Sequence, residues 1–197
     1  MDSFIYQKKA LNNVECDLII DYFNKNKKRH VRGSFSSGQV KDSAKLSTDM
    51  GDRFFDETGK IDNEVSKLIA DKLTFCMEDY KKTYEGLKYT TPWSLFPFYN
   101  IQRYYPTEGY FSAHSENDGN PDTKDRILVW MIYLNTLNFG GGTRFPHYKK
   151  TIKAEQGKVV LWPAYWTHLH HGVVHNFKTK YIATGWYSFD EINKDAL

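Results

Sequence analysis

The sequence predicts an α+β fold, on three observations. Two amphipathic helical patterns occupy the N-terminal half of the chain. From about residue 98 the pattern changes to some eight short runs rich in Val, Ile, Tyr, Trp and Thr, separated by turn residues. Aromatic residues make up 16% of the chain, and aromatics favour strands. Helices followed by a series of strands place the helices as backing for a sheet. At 197 residues the chain is expected to form one domain, 1–197, with helical support over 1–97 and a strand-rich core over 98–189.

Residues 12–26 read as the first helix. Asn12 is suited to cap it, and Glu15 stands three residues later, where it reaches back to the cap. Val14, Ile19, Ile20 and Phe23 fall near one face. The polar segment Arg32–Gly51 has no period of two or of 3.6 and reads as a loop. Long structureless segments in compact domains are often lids or binding loops. The second helix covers about 62–84, with Val65, Leu68, Ile69, Leu73, Cys76, Met77 and Tyr80 at spacings of three and four. Strands are expected at 98–105, 109–114, 126–134, 143–146, 151–154, 158–162, 168–174 and 179–188. The strand 126–134 is apolar on both faces, which suits a barrel interior on one side and a helix on the other.

Composition excludes several function classes. A formal net charge of +3 is too balanced to announce a nucleic-acid binder, and the basic run Lys25–Arg32 reads as a solvated helix end. Two cysteines, Cys16 and Cys76, cannot build a disulfide scaffold or a thiolate zinc site, and read as buried thiols. The N-terminus lacks the charged-then-apolar pattern of a signal peptide. The longest apolar run, Ile127 to Leu134, is too short to span a bilayer. The expected location is cytoplasmic, without a membrane partner.

Histidines are unevenly placed. His30 stands apart, while His114, His147, His168, His170, His171 and His175 all lie in the strand-rich half. In a strand, residues i and i+2 point to one face, so His114 and Glu116 can converge on one ion. A later histidine, His170, would complete two imidazoles and a carboxylate. That set typifies non-haem Fe(II) oxygenases, with zinc as the competing metal. Asp118 is a fallback carboxylate, although its offset does not suit a strand. His147 and His175 read as loop histidines.

Around this set runs an ordered series of motifs: Tyr105-Pro106, His114-Ser-Glu116, Tyr133-Leu-Asn135, Gly141-Gly-Thr143-Arg-Phe145-Pro146, Trp162-Pro163, His170-His-Gly172, Lys180-Tyr181 and Gly185-Trp186. In this order they resemble the prolyl 4-hydroxylase-like group of Fe(II)/2-oxoglutarate dioxygenases over about residues 98–189. The resemblance implies a double-stranded β-helix, a jelly-roll or cupin-like barrel, with supporting N-terminal helices. It implies His114, Glu116 and His170 as iron ligands, and Lys180 as the cation for the distal carboxylate of 2-oxoglutarate. Tyr105 and Thr143 would add hydroxyl contacts to the same cosubstrate, Tyr133 would be a core aromatic or lie near it, and Trp186 would stand beside the metal. Lys180 and Trp186 are six residues apart, so one strand would present both on one face.

Two departures from the family pattern stand out. Glu116 occupies a position where the family usually has Asp, and Val173-Val174 replaces a frequent Pro after the distal histidine. The second loosens the register, so His171 and His168 compete with His170. The implied activity is hydroxylation of an unactivated C–H bond, with Fe(II), 2-oxoglutarate and dioxygen, and ascorbate as support. The substrate implied first is a peptidyl proline in a peptide or protein, giving 4-hydroxyproline. In the family a loop comparable to Arg32–Gly51 folds over substrate. The alternatives are a non-catalytic cupin-like metal- or ligand-binding barrel, or a dioxygenase acting on a small molecule or a nucleic acid. The last requires a basic groove that the charge balance does not suggest.

Overall fold

The computed structural model describes residues 2–34 and 40–190. In chain order the elements are β1 (Tyr6–Lys9), α1 (Asn13–Lys25), β2 (Val31–Arg32), β3 (Lys45–Leu46), β4 (Thr48–Arg53), α2 (Glu64–Thr83), β5 (Trp93–Tyr104), β6 (Gly109–Tyr110), β7 (Arg126–Tyr133), β8 (Thr143–Phe145), β9 (Lys150–Ile152), β10 (Lys158–Pro163), β11 (His171–Gly172) and β12 (Lys180–Phe189). Seven strands form one sheet in the order β1-β10-β7-β12-β5-β4-β2, and its neighbours run antiparallel. A three-stranded sheet, β11-β8-β9, and a β3-β6 pair make up the rest. Antiparallel sheets with helices packed on one side are the architecture expected of a double-stranded β-helix.

The helices form where their sequences favour them. The Asn12 side chain accepts from the Glu15 backbone N–H at 2.9 Å, and the Glu15 carboxylate accepts from the Asn12 N–H at 2.8 Å. This closes the box expected from the sequence. Asn63 caps α2 by accepting from the Ser66 N–H. Cys16, Ile19 and Phe23 of α1, and Ile69, Leu73 and Cys76 of α2, are fully buried against the large sheet. Both cysteines are thus buried thiols. Val14 is a correction: it sits on the solvent side of α1, 78% exposed.

Strand β7 explains its own apolar sequence. Leu128, Trp130 and Ile132 belong to the core under the helices, whereas Val129, Met131 and Tyr133 point into the barrel. The period of two is there, but hydrophobic on both phases. β10 and β12 divide the same way, with Leu161 and Ala183 outward and Trp162 and Ile182 inward.

Arg32–Gly51 departs from the expected loop. Its described part carries β3 and most of β4, and β4 pairs along β5 in six register positions from Thr48 to Arg53. The sequence TDMGDR is polar and short, so nothing in its pattern advertises a strand; tertiary pairing with β5 supplies the backbone hydrogen bonds. Residues 35–39 of the segment lie outside the described residues. The expected strand 168–174 shrinks to β11, because Trp166–His168 form a 3-10 turn. β1 is a further strand that the pattern does not announce.

Gly185 is needed where β12 crosses Trp130. A Cβ there would lie 2.7 Å from the Trp130 ring, and Trp130 is fully buried. Gly185→Ala is therefore expected to destabilise the fold by about 1–3 kcal/mol through overpacking. Urea unfolding of the variant and the parent measures this.

Candidate metal and cosubstrate site

His114 and His170 are brought together by main chain before any side chain is considered. They form an isolated antiparallel bridge, with the His114 N–H on the His170 carbonyl and the His170 N–H on the His114 carbonyl, each at 3.0 Å. Glu116 is fixed two residues on, where its N–H donates to the Ala164 carbonyl at 3.0 Å. His114 and Glu116 therefore come from one segment and the third residue from the segment beside it, but the expected strand is absent there: β6 ends at Tyr110, and Glu116 stands at a bend.

The ring orientations are set from behind. His114 Nδ1 donates to the Ser112 carbonyl at 3.0 Å, and His170 Nδ1 donates to the His168 carbonyl at 2.9 Å. A carbonyl only accepts, so each Nδ1 carries the proton and each Nε2 keeps its lone pair. Tyr110 stacks on the His114 ring at 3.6 Å, and Phe145 and Trp162 enclose His170 at 5.5 and 5.0 Å. Burial, and then the neighbouring His114, hold the His170 imidazole below its usual pKa, which favours the neutral, metal-ligating form.

Glu116 Oε1 lies 3.3 Å from His114 Nε2 and 3.5 Å from His170 Nε2. Burial opposes a charge on Glu116, but hydrogen bonds and positive charge from His114 and His170, when a proton rather than a metal sits at their Nε2 atoms, hold its carboxyl well below the usual carboxylate range. Three donor atoms thus converge within 4.8 Å of one another. Such a set can share a proton or hold a cation, and two imidazoles with a carboxylate suit Fe(II) with three positions left open. The residues present fit the ion that the sequence implied. Among the described residues this is the one such cluster of three or more potential ligands.

The competing histidines are elsewhere. His168 is buried, with Nε2 donating to the Ser3 carbonyl and Nδ1 against the Thr167 hydroxyl. His171 Nδ1 meets the Gly172 carbonyl. His175 orders its own loop, bonding Asn138, Phe177 and Lys178, and His30 stacks on Phe23. Asp118 bonds Asn120 and Thr123, away from the ligand cluster.

A cavity of about 330 Å³ opens beside the cluster, lined by all three ligands and by Lys180, Thr143 and Trp186. Lys180 Nζ sits 5.3 Å from the Tyr104 ring and 5.5 Å from the Tyr133 ring. No carboxylate among the described residues pairs with it, and burial pulls its pKa down to about 8. A buried lysine with ring faces beside it and no carboxylate partner among the described residues has the chemistry to receive an anion. Thr143 shares a hydrogen bond of 2.7 Å with Tyr133, and both are buried. Tyr133 backs the Lys180 ammonium rather than standing apart from it. Lys180, Ile182, Thr184 and Trp186 all face the cavity from β12, as the six-residue spacing predicted.

Tyr133 lies beside Lys180 but behind the cavity wall rather than on it, and Tyr105 is not brought to the wall either. Tyr105 is 47% exposed, and its ring lies under the Arg103 guanidinium at 4.3 Å. Tyr104 takes its place, buried beside Lys180 and donating to the Gln102 side chain at 2.7 Å. The physical reason is strand phase. Asn100, Gln102 and Tyr104 of β5 face the cavity, so the next residue along points away.

Sequence reasoning also missed Arg126, Lys45 and Asp49, all on the cavity wall. Lys45 and Asp49 form a buried pair at 2.6 Å, and Gln102 and Ser47 also donate to Asp49. The i, i+4 spacing of the two is a helical signal, but both lie in strands, so their spacing carries no useful cue. Arg32 and Ser34 reach the cavity too, so the Arg32–Gly51 segment walls the site over its described part.

Comparisons with known proteins bear on the family and the fold. Residues 99–188 match the profile of the 2OG-Fe(II) oxygenase superfamily. A search of curated protein sequences finds no match. Among solved structures, the fold is similar to a viral collagen prolyl hydroxylase from Paramecium Bursaria Chlorella virus-1 in complex with 2OG. That match has TM-score 0.64 and 20% identity, and covers 95% of this chain and 97% of that one. It is also similar to a prolyl-4-hydroxylase of Pseudomonas putida, with TM-score 0.70 and 14% identity over 94% and 93% of the two chains. A prolyl hydroxylase of Trichoplax adhaerens, in complex with a hypoxia inducible factor oxygen degradation domain peptide fragment, matches with TM-score 0.69 and 16% identity over 95% and 84%. These likenesses bear out the double-stranded β-helix fold.

The lowered Lys180 pKa has a thermodynamic consequence. Below about pH 8 the folded chain holds a buried ammonium, and between that pH and the unfolded value near 10.4 the unfolded chain binds the extra proton. Stability from this group therefore rises as pH rises through that window. Lys180→Met is expected to be more stable than the parent at pH 7, by up to ~3 kcal/mol, with the difference fading towards pH 10. Thermal melts of both proteins across that range test it.

Proposed function

We propose that this chain, a prolyl hydroxylase-like 2OG-Fe(II) oxygenase, hydroxylates a peptidyl proline to 4-hydroxyproline as a single domain spanning 1–197. The observation that carries the reading is the joint presence, in one cavity, of a His114–Glu116–His170 ligand cluster and a buried lysine with no carboxylate partner among the described residues. A metal-binding barrel without a cosubstrate has no use for Lys180.

His114, Glu116 and His170 would hold Fe(II), and Lys180 would hold the distal carboxylate of 2-oxoglutarate, with Thr143 and Tyr104 beside it. The bound metal and cosubstrate supply dioxygen activation and oxidative decarboxylation, giving succinate, CO₂ and a hydroxylated C–H. The chain's own contribution is position. The Nδ1 bonds to backbone carbonyls fix both imidazoles, and Met131, Trp162 and Ile182 supply the apolar part of a wall that also carries Arg126, Asp49 and Lys45. The cationic Lys180 orients an anion with its other end towards the ligand cluster. Arg32, Ser34 and Asn100 border the cavity, and the segment around Arg32 would cover substrate.

A peptide substrate is supported by the Trichoplax enzyme, whose structure holds a peptide fragment. Among the described residues no helix is long and apolar enough to cross a membrane, and a cytoplasmic location is part of the proposal. Ascorbate would support turnover as a reductant.

With Fe(II), 2-oxoglutarate, ascorbate and a panel of proline peptides, the enzyme is expected to form succinate and to add about 16 Da to a peptide. His114→Ala, Glu116→Ala and His170→Ala should each lower turnover by at least ~100-fold. Lys180→Ala should chiefly raise KM for 2-oxoglutarate, by at least ~10-fold. Succinate formation without any modified proline would overturn the substrate assignment. Unchanged metal affinity in the three ligand variants would overturn the site.

A further inference from the structure

Glu116 differs from the aspartate usual at this place in the family, and the structure contains a device that matches the difference. Its two carboxylate oxygens have separate tasks. Oε1 faces both imidazole Nε2 atoms, at 3.3 and 3.5 Å. Oε2 points the other way, accepts from Trp186 Nε1 at 3.0 Å, and lies 3.5 Å from Arg126 Nη1. Arg126 and Trp186 are themselves joined, with the guanidinium 3.7 Å over the indole. The same Arg126 Nη1 donates to the Glu116 backbone carbonyl at 3.1 Å. Asn117 completes the fixture by donating to the Arg126 carbonyl at 3.0 Å.

We infer that Arg126 and Trp186 act as a clamp on Glu116: they bind its outer oxygen and backbone so that the longer side chain offers one oxygen only to the metal. Both are positioning residues that act through Glu116. The backbone at 116 is held on two sides, by Ala164 and by Arg126, so it cannot advance to compensate for a shorter side chain. An aspartate is about 1.5 Å shorter and would not span from the imidazoles to the Trp186 N–H. Without the clamp, a glutamate has one more rotatable bond than aspartate and no fixed rotamer. The longer ligand and the clamp are therefore one unit. The inference rests on the proposed metal site, and its test separates the two.

The test measures Mn(II) alone binding to the metal-free full chain by calorimetry, with circular dichroism and melting to establish folding. Arg126→Gln and Trp186→Phe are each expected to weaken Mn(II) binding about 10–100-fold. Arg126→Lys, which keeps charge but not the flat stack, should fall between parent and Arg126→Gln. Glu116→Asp should also weaken binding, and adding Arg126→Gln to it should cost less than about twofold more, because the pair no longer meets. Trp186→Phe removes one N–H and keeps the ring, so it carries the test if Arg126→Gln fails to fold. Affinities of Arg126→Gln and Trp186→Phe within about twofold of the parent overturn the clamp. So does an equal loss from Arg126→Gln in the parent and in the Glu116→Asp variant. If Glu116→Ala leaves Mn(II) affinity unchanged, the metal site itself is wrong and not merely the clamp.

Discussion

The constraint on which the structure depends is that the central strands of the large sheet are buried on both faces. One face of β7, β10 and β12 is covered by α1 and α2, and the other lines the barrel. From Leu128 onward in β7, and along β10 and β12, alternation assigns each residue either to structure or to the cavity; at the start of β7 the phase breaks, with Ile127 and Leu128 both in the helix-backed core and Arg126 on the cavity wall. Trp130 and Ile132 serve the helix-backed core, while Met131 and Tyr133 serve the interior. The apolar burial that holds the sheet together also fixes which side chains can reach the ion and the cosubstrate. Lys180 and Arg126 are the charges these strands place on the cavity wall, and Lys180 has aromatic rings for company.

Metal-ligating geometry is added to this scaffold by backbone rather than by regular strands. His114 and His170 meet through a single two-bond bridge, outside any named strand. Their Nδ1 atoms are tied to carbonyls of residues two positions earlier, so each ring is oriented by its own local chain. The imidazoles thus take their orientation from main chain and ring packing, whereas the Glu116 carboxylate takes its placement from the side chains of Trp186 and Arg126.

Much of the fold was legible in the sequence because its signals are periodic. The stripe of α2, the Asn12–Glu15 box and the doubly apolar β7 each declare themselves through spacing. β1, β2 and β4 did not, since two to six polar residues that borrow their hydrogen bonds from a partner strand leave no pattern. His114 and Glu116 were legible as a candidate pair from i, i+2 spacing, although they meet through a bridge and a bend rather than in the strand that spacing assumed; Lys180 with Trp186 followed from their shared face. The choice among His168, His170 and His171 was not, because a 3-10 turn followed by a bridge has no period to extrapolate. Tyr105 failed for the complementary reason: a motif gives an order of residues, but strand phase decides which of two adjacent tyrosines faces in. Arg126 carried no signal at all, being one charge at the start of an apolar strand.

The position of β12 in the sheet has a consequence for how the molecule assembles. It is the last strand described, yet it lies in the middle, paired to β5 on one side and β7 on the other. A chain lacking residues 180–189 has two half-sheets with open edges facing each other across a missing strand. Closure is thus a late and non-local event, which by loop-closure entropy favours slow folding and exposes sticky edges beforehand. The strand that closes the sheet also carries the ammonium and the indole of the site. The strand whose pairing joins the two halves of the sheet is thus also the strand that finishes the cavity wall, so the barrel and the cavity are completed by the same ten residues.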